Sequence, residues 1–551
     1  MKQRSVWIPL TVLAAAQFVM VLDSSVMNVS ISQIVKDLDT TITGVQLAIT
    51  FYTLVMAAFM LAGAKLGDIL GRDKAFAIGL AIYGLGSLTT ALSPNLTVLL
   101  IGWSFIEGMG AALVLPAIVS LIAATYEGKQ RALAFGVIGG VAGAAIATGP
   151  LIGGWVTTEF SWRYVFAAET VIVIVVLIVH RGLARAPQPE GHPRLDVVGV
   201  LLSALGLGLA VFGVLKSSEW GWIEPTGAMT IGDTEVTPFG FSVVPFFILA
   251  GVGCLALFAM WEERCEREGR DTLLDRSLLK IEHLRAGLTT LMMQQLILLG
   301  IFFVLPVYLQ VVLGLDAFET GKKLFPMSVA LFVAAMLGPR LAAGIAPKRV
   351  CQAGLTILSV ASVLLLATID VELSQPQFAI SLAVFGVGAG LLLSQLGNVI
   401  MSSVDPSKTN EAGGLQGTAQ NLGASLGTAL IGSVLLAALT SGFVTNVQQN
   451  PDLPNSVKDQ VAQAAQEGIP VAPVAEVEQA VRDQGVPARQ AEQIADHYGD
   501  AEITGLKRAI GAVAVFALLS LWFTRRLPGR LAAEAAPSPP RRSLEPQPDR
   551  V

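Results

Sequence analysis

Asp23 is the single charged residue in the run from Ser5 to Val35. Glu107 interrupts another long apolar run near 97–122 in the same way, and Glu169 lies just inside a third, near 163–181. A carboxylate at the depth of lipid tails costs at least about 2.5–3.5 kcal/mol even on lenient insertion scales, so it faces a cavity or a partner. Counted inward from their outer ends, Asp23 and Glu107 each lie about ten residues deep, roughly 15 Å at 1.5 Å per residue. Buried carboxylates can exchange protons with water or hold a cation. Each also has a structural alternative: Glu107 can accept from Ser104 or a neighbouring helix, and Glu169 can snorkel outward or pair with Arg163. Other polar groups sit in later apolar runs: Gln294, Gln295, Gln395, Asn398, Gln416, Gln420 and Asn421. They can line a cavity or bridge helices. Trp103, Met20 and Met27 lie one helical turn from Asp23 or Glu107, where they can form an adaptable apolar wall or simply pack.

Several other chemistries are excluded. Cys254, Cys265 and Cys351 are odd in number and lack metal-ligand spacing, so neither a disulfide framework nor a zinc site is expected. His180, His192, His283 and His497 fall in loops or at the ends of apolar runs, which leaves no histidine relay. Gly321-Lys322-Lys323 lacks the upstream glycine and the following Ser/Thr of a phosphate-binding loop. No nucleophile elbow is present. Catalytic residues, cofactor and metal are therefore all expected to be none, and no nucleic-acid partner is indicated.

The elements that must position these groups are membrane helices. Of 551 residues, 53% are hydrophobic and only 14% charged, with a mean hydropathy of +0.65. A soluble chain carries about 25% charged residues. Apolar runs long enough to span a bilayer recur near 6–33, 44–64, 75–93, 97–122, 132–157, 163–181, 196–215, 239–261, 286–313, 322–345, 350–369, 377–402, 412–440 and 505–524. The first keeps its acid and lacks a small-residue cleavage site, so it reads as a resident helix and not a signal peptide. Basic residues fall in alternate loops: Lys2 and Arg4; Lys65, Arg72 and Lys74; Lys129 and Arg131; Arg181, Arg185 and Arg194; Arg264 to Arg285; Lys348 and Arg349; Arg525 to Arg530. The net charge of −5 matters less than this alternation, which places both termini in the cytoplasm. The linkers divide the chain into an N-terminal six-helix unit (1–183), two inserted helices with their linkers (184–285) and a C-terminal six-helix unit (286–524). The last contains an extracytoplasmic stretch at 441–504, with a helix-like piece at Asn455–Glu467. The Pro- and Arg-rich tail, 525–551, is expected to be disordered.

The motifs refine this reading. Gly63-Ala-Lys-Leu-Gly-Asp-Ile-Leu-Gly-Arg-Asp-Lys74 can form a short latch, with Asp68 at a helix end, Gly71 making the turn and Arg72 and Lys74 supplying charge. It resembles the signature loop of the major facilitator superfamily, with Ala64 at the first glycine position. Gly136, Gly149-Pro150 and Gly153-Gly154 resemble the antiporter motif of that superfamily, with Ala145 at its second glycine. Leu22-Asp23-Ser-Ser-Val-Met-Asn28, Ser161-Trp-Arg-Tyr-Val-Phe166 and Gly413-Gly-Leu-Gln-Gly-Thr-Ala-Gln-Asn-Leu-Gly423 resemble segments of its 14-helix drug:proton antiporter branch, the EmrB/QacA type. The resemblance implies an all-α fold of two pseudo-symmetric six-helix bundles plus two inserted helices. It also implies a midplane cavity between the bundles and alternating access.

The fourth run departs from that branch. Its pattern R-x-x-Q-G is here Ser104-Phe-Ile-Glu107-Gly108, so an arginine is missing and an acid replaces the glutamine. Since the first and fourth helices of the fold face the cavity, the resemblance implies Asp23 and Glu107 in one chamber, with Asn28, Ser104 and Glu169 nearby. The function implied is secondary active export, in which protons and a lipophilic, cationic drug compete for the acids, by a monomer in the bacterial cytoplasmic membrane. A dedicated exporter of one metabolite, antibiotic or lipid is the alternative within transport. The missing arginine and the external stretch also suit a membrane sensor or assembly factor that kept the fold without coupling.

Overall fold

A chain in lipid must satisfy every backbone N–H and C=O internally, and continuous helices do so with i to i+4 bonds. The computed structural model describes residues 7–126, 128–181, 194–225, 229–231, 234–341, 345–370, 373–405, 408–467 and 471–529. Lys2, Arg4, the linker 182–193 and the tail 530–551 lie outside the described residues. Fourteen described helices are long and apolar enough to cross a membrane. In chain order they are α1 (Trp7–Val29), α2 (Ile42–Leu70), α3 (Arg72–Ala91), α4 (Leu96–Ile122), α5 (Leu133–Glu159), α6 (Arg163–Arg181) and α7 (Val197–Trp220). Then come α8 (Val244–Arg267), α9 (Glu282–Val312), α10 (Ala317–Gly338), α11 (Pro347–Leu366), α12 (Gln375–Ser402), α13 (Glu411–Gln449) and α14 (Ala488–Arg526). An even number of crossings leaves the start of α1 and the end of α14 on one face, called here the terminal face; the other is the distal face.

Packing follows the expected halves. α1 rests on α5 and α6, and α3 and α2 hold α4. In the second half α10 packs on α12, α9 on α13, and α11 and α13 on α14. The halves meet where α2 crosses α13 and α5 crosses α10. The inserted helix α7 lies against both α2 and α13, with Val211, Val214 and Leu215 buried beside Leu54 and Ala429. α8 leans on α7 and leaves Leu249, Val252 and Met260 exposed. A two-stranded hairpin, Met229–Ile231 with Thr234–Val236, joins them.

Boundaries differ from the hydropathy reading by several residues at a number of helix ends, and most at the distal ends of α13 and α14. α1 stops at Val29, and a separate helix, Ile31–Asp37, follows Ser30. α13 runs on to Gln449 and α14 starts at Ala488, so both ends of the distal stretch are extensions of these two helices, with separate helices Asn455–Glu467 and Val474–Asp483 between them. Phe443 and Val447 meet Ile494 and Tyr498 there, with Leu453 and Val457 closing a small core beneath Asn455–Glu467. Helices that bury apolar side chains on each other need no lipid to persist, so hydropathy alone ends them early.

Candidate functional site

Three helices converge on one dry cluster. Asp23 on α1 and Glu107 on α4 are fully buried, and Glu169 on α6 is 1% exposed. One carboxylate oxygen from each lies within 4.8 Å of the others. Around Glu107 the backbone of α4 is π-helical, from Leu100 to Glu107. Such an inserted turn re-aims side chains and recurs at functional sites. Here it accompanies the inward placement of both Trp103 and Glu107. On the α3 side the approach requires Gly86, where a Cβ would come within 2.5 Å of the Glu107 backbone nitrogen.

The hydrogen bonds around the acids are unequal. Trp103 Nε1 donates to both oxygens of Asp23, at 2.9 and 3.0 Å, and its ring stacks on Tyr52 with centroids 4.6 Å apart. Glu169 Oε2 accepts from Ser87 at 3.2 Å and from Tyr83 at 3.5 Å. Glu169 Oε1 and both oxygens of Glu107 have no hydrogen-bond partner. Among the described residues no Lys, Arg or His forms an ion pair with any of the three. Three negative charges in so small and buried a volume would cost several kcal/mol per ion without a partner.

The structural alternatives read from sequence fall away for two residues. Ser104 donates to the Ala48 carbonyl at 2.8 Å instead of to Glu107. Arg163 pairs with Asp37 at 3.0 Å, leaving Glu169 turned inward. Asn28 is buried, donates to Ser24 O at 2.7 Å and leaves its Oδ1 unpartnered. Met20 and Met27 are packed in the core, while Trp103 is a donor to the cluster. Tyr52, Tyr83 and Ser87 were not legible as site residues. The i, i+4 spacing of Tyr83 and Ser87 on one face of α3 could have signalled those two, and nothing in the spacing signalled Tyr52.

The glycine-rich stretch of α5 supports this cluster from outside. Gly149 faces Ser25 and Gly153 faces Val26, both on the acid-bearing turns of α1. Gly154 meets the backbone of Ala317, and Pro150 O abuts Gly321, so α5 and α10 cross nearly backbone to backbone. Gly136 has open space around it. On the same distal side, Gln310 donates to Val29 O at 2.7 Å and accepts from Ser32 N at 3.1 Å. Gln46 donates to Thr428 O at 2.9 Å, and Phe318 N to Thr158 Oγ1 at 3.1 Å. The halves are thus clamped at the distal face. Gln310, a polar residue in a π-helical turn of an apolar span, was missed among its neighbours.

At the terminal face, Gly71 takes φ of 91° between α2 and α3, a left-handed value that favours glycine. Arg72 donates to Ser120 O on α4 at 3.3 Å, Asp68 is half-buried and Lys74 is exposed. Beyond it, Lys408 pairs with Asp275 and reaches Ser277. Burial pushes Asp275 up, but hydrogen bonds from Lys408 and Ser277 outweigh it and hold the carboxyl below its ordinary range. The hydrogen bond to Asp275 raises Lys408.

The second-half amides divide. Gln294 bridges α9 to α12 through Ala389 O at 3.2 Å. Gln295 is buried with Oε1 unpartnered, and Gln395 contacts Ser394. Asn421 bonds back to Gly417 O, Gln416 and Gln420 are half-buried, and Asn398 is exposed. None of them touches the acid cluster through a hydrogen bond.

The family model described as Major Facilitator Superfamily matches residues 13–428. The chain belongs to the Major Facilitator Superfamily. It is therefore a multi-pass membrane transporter and not an enzyme. It is 26% identical over 538 residues to the tetracenomycin C resistance and export protein of Streptomyces glaucescens, covering 97% of this chain and 94% of that one. It is 28% identical to a probable actinorhodin transporter of Streptomyces coelicolor, over 80% of this chain and 74% of that protein. With the multidrug resistance protein Stp of Mycobacterium tuberculosis it shares 27% identity over 81% and 77% of the two chains. A solved bacterial homologue of the human lysosomal transporter Spinster shares the fold at a TM-score of 0.59 and 13% identity, covering 96% of this chain and 98% of that one.

Proposed function

We propose that this transporter exports lipophilic, cationic drugs or antibiotics in exchange for protons, by alternating access, as a monomer in the bacterial cytoplasmic membrane with both termini inside. The observation that carries the reading is the buried trio Asp23, Glu107 and Glu169, with no ion-pair partner among the described residues and three oxygens left without a donor. A proton taken up by the cluster removes the charge that would hold a cation, so the two loads exclude each other. The Tyr52–Trp103 stack supplies an aromatic face of the kind that favours lipophilic cations. Export fits the relatives, whose names state resistance or export.

The units that move would be 1–183 and 286–524, with 184–285 riding at their seam. In the conformation described, the distal clamp is shut. Rocking would open it by parting Gln310 from Val29 and α10 from α5, including at the crossing near Gly154. The loop Asp68, Gly71, Arg72 and Lys74 would serve as the latch of the terminal face.

A second reading, export of a single natural product, is favoured by relatives named for one compound each, actinorhodin and tetracenomycin C. One assay addresses both. Purified protein in vesicles with an imposed pH gradient should move a lipophilic cationic dye and protons in opposite directions. Asp23→Asn and Glu107→Gln should uncouple the two; wild-type coupling in both variants would sink the proton reading. Failure with a broad dye panel but transport of one such natural product would select the dedicated exporter.

A further inference from the structure

A cavity of about 340 Å³ lies away from the carboxylate cluster, between the distal ends of α10 and α12. Glu319, Lys322, Lys323, Gln375 and Phe378 are among the residues that line it. Among the described residues neither lysine is paired with an acid. Lys323 Nζ donates to Gln375 Oε1, and Lys322 Nζ rests 4.8 Å from the centre of the Phe318 ring. Each ammonium thus has a neutral partner and donors to spare. Two positive groups against the one carboxylate of Glu319 leave the cavity cationic.

The surroundings select the kind of anion. Lys322 starts a stripe on α10 that continues through Phe325, Val329, Val333 and Met336, all exposed, at 39, 37, 44 and 58%. These residues recur at helical spacing on one side of a membrane-spanning helix, so they face lipid. Ile380 of α12, the helix on the other side of the cavity, is 61% exposed. A cationic recess at the end of a lipid-facing apolar stripe matches an anionic phospholipid, with phosphate at the lysines and acyl chain along α10. We infer that this cavity binds the headgroup of an anionic phospholipid in the leaflet at the distal face. The inference stands apart from the export reading and holds whether or not transport is proton-coupled.

The test uses the purified full chain in detergent, with phosphatidylglycerol or phosphatidylcholine added and retained lipid counted by native mass spectrometry. Wild-type protein should retain phosphatidylglycerol preferentially. K322Q/K323Q should lose affinity for it by about 5-fold for each lysine removed. K507Q/R508Q, which alters exposed basic residues of α14, should leave retention unchanged and serves as the control for general surface charge. Elution volume and melting temperature matching wild type show that each variant is folded. Equal retention of the two lipids, or equal loss in the two double variants, overturns the proposal. Displacement of phosphatidylglycerol by inorganic phosphate at similar concentration overturns it in favour of a soluble anion. Failure of phosphate to compete supports the lipid.

Discussion

Replacing Gly154 with alanine would place a methyl carbon 2.4 Å from the Ala317 carbonyl oxygen and 2.9 Å from both Ala317 C and Phe318 Cα. Ordinary contact begins at 3.4 Å, so the new atom is about 1 Å too close to backbone that has no rotamer with which to yield. The clash exists only while α5 and α10 are pressed together at the distal face. Overpacking of this kind costs about 1–3 kcal/mol, which as a penalty on one of two states shifts their ratio about 5- to 150-fold. A reporter at Ser25→Cys reads that ratio, because Ser25 is 9% exposed beneath the same clamp. In a background with Cys254, Cys265 and Cys351 replaced, a membrane-impermeant maleimide added at the distal face should label position 25 about 5- to 150-fold faster in Gly154→Ala. Gly136→Ala, with nothing within 4 Å, should label at the parental rate. An unchanged rate in Gly154→Ala, or an equal rise in Gly136→Ala, would refute the assignment of the α5–α10 crossing as a closed gate.

Further outcomes follow from the same contacts. Gln310→Ala removes two hydrogen bonds between the halves, each contributing about 0.5–1.5 kcal/mol, and should raise labelling at position 25 about 5- to 150-fold. Glu169→Gln keeps an acceptor for Ser87 but removes one exchangeable proton site, so the number of protons moved per dye in vesicles should fall while dye binding survives. Unchanged stoichiometry would remove Glu169 from the coupling set. The Lys408–Asp275 bridge should not contribute to pH dependence near neutrality. Asp275 is depressed, so its contribution is present above the ordinary carboxyl value of about 4 and lost as pH falls through its lowered one. Lys408 is raised, so its contribution is present below the ordinary value of about 10.4 and lost only as pH rises through its higher one. Lys408→Gln should therefore leave the shape of the transport profile between about pH 5 and 9 unchanged, as measured by dye efflux across that range.

By itself the sequence determined the number of spans, because lipid forces each apolar run of bilayer length into a helix and the run can be read without knowing its neighbours. It also singled out Asp23 and Glu107, since an acid in an apolar run stands out in one dimension. Placing them together already needed the family resemblance. The company the acids keep was set by how the helices pack. Glu169 was as compatible with Arg163 as with the interior until α3 brought Ser87 and Tyr83 against it and Asp37 took the arginine. Trp103 donates to Asp23 from a turn where α4 is π-helical, a change of helical phase that no residue spacing announces. Gln310 likewise looked like any other amide in an apolar helix. Its role depends on Val29 and Ser32, residues 281 and 278 positions away along the chain. Burial depth along one helix is a local property of the sequence. Which two helices touch, and at which turn, depends on packing across the whole bundle, where a single glycine such as Gly154 sets how closely backbones approach.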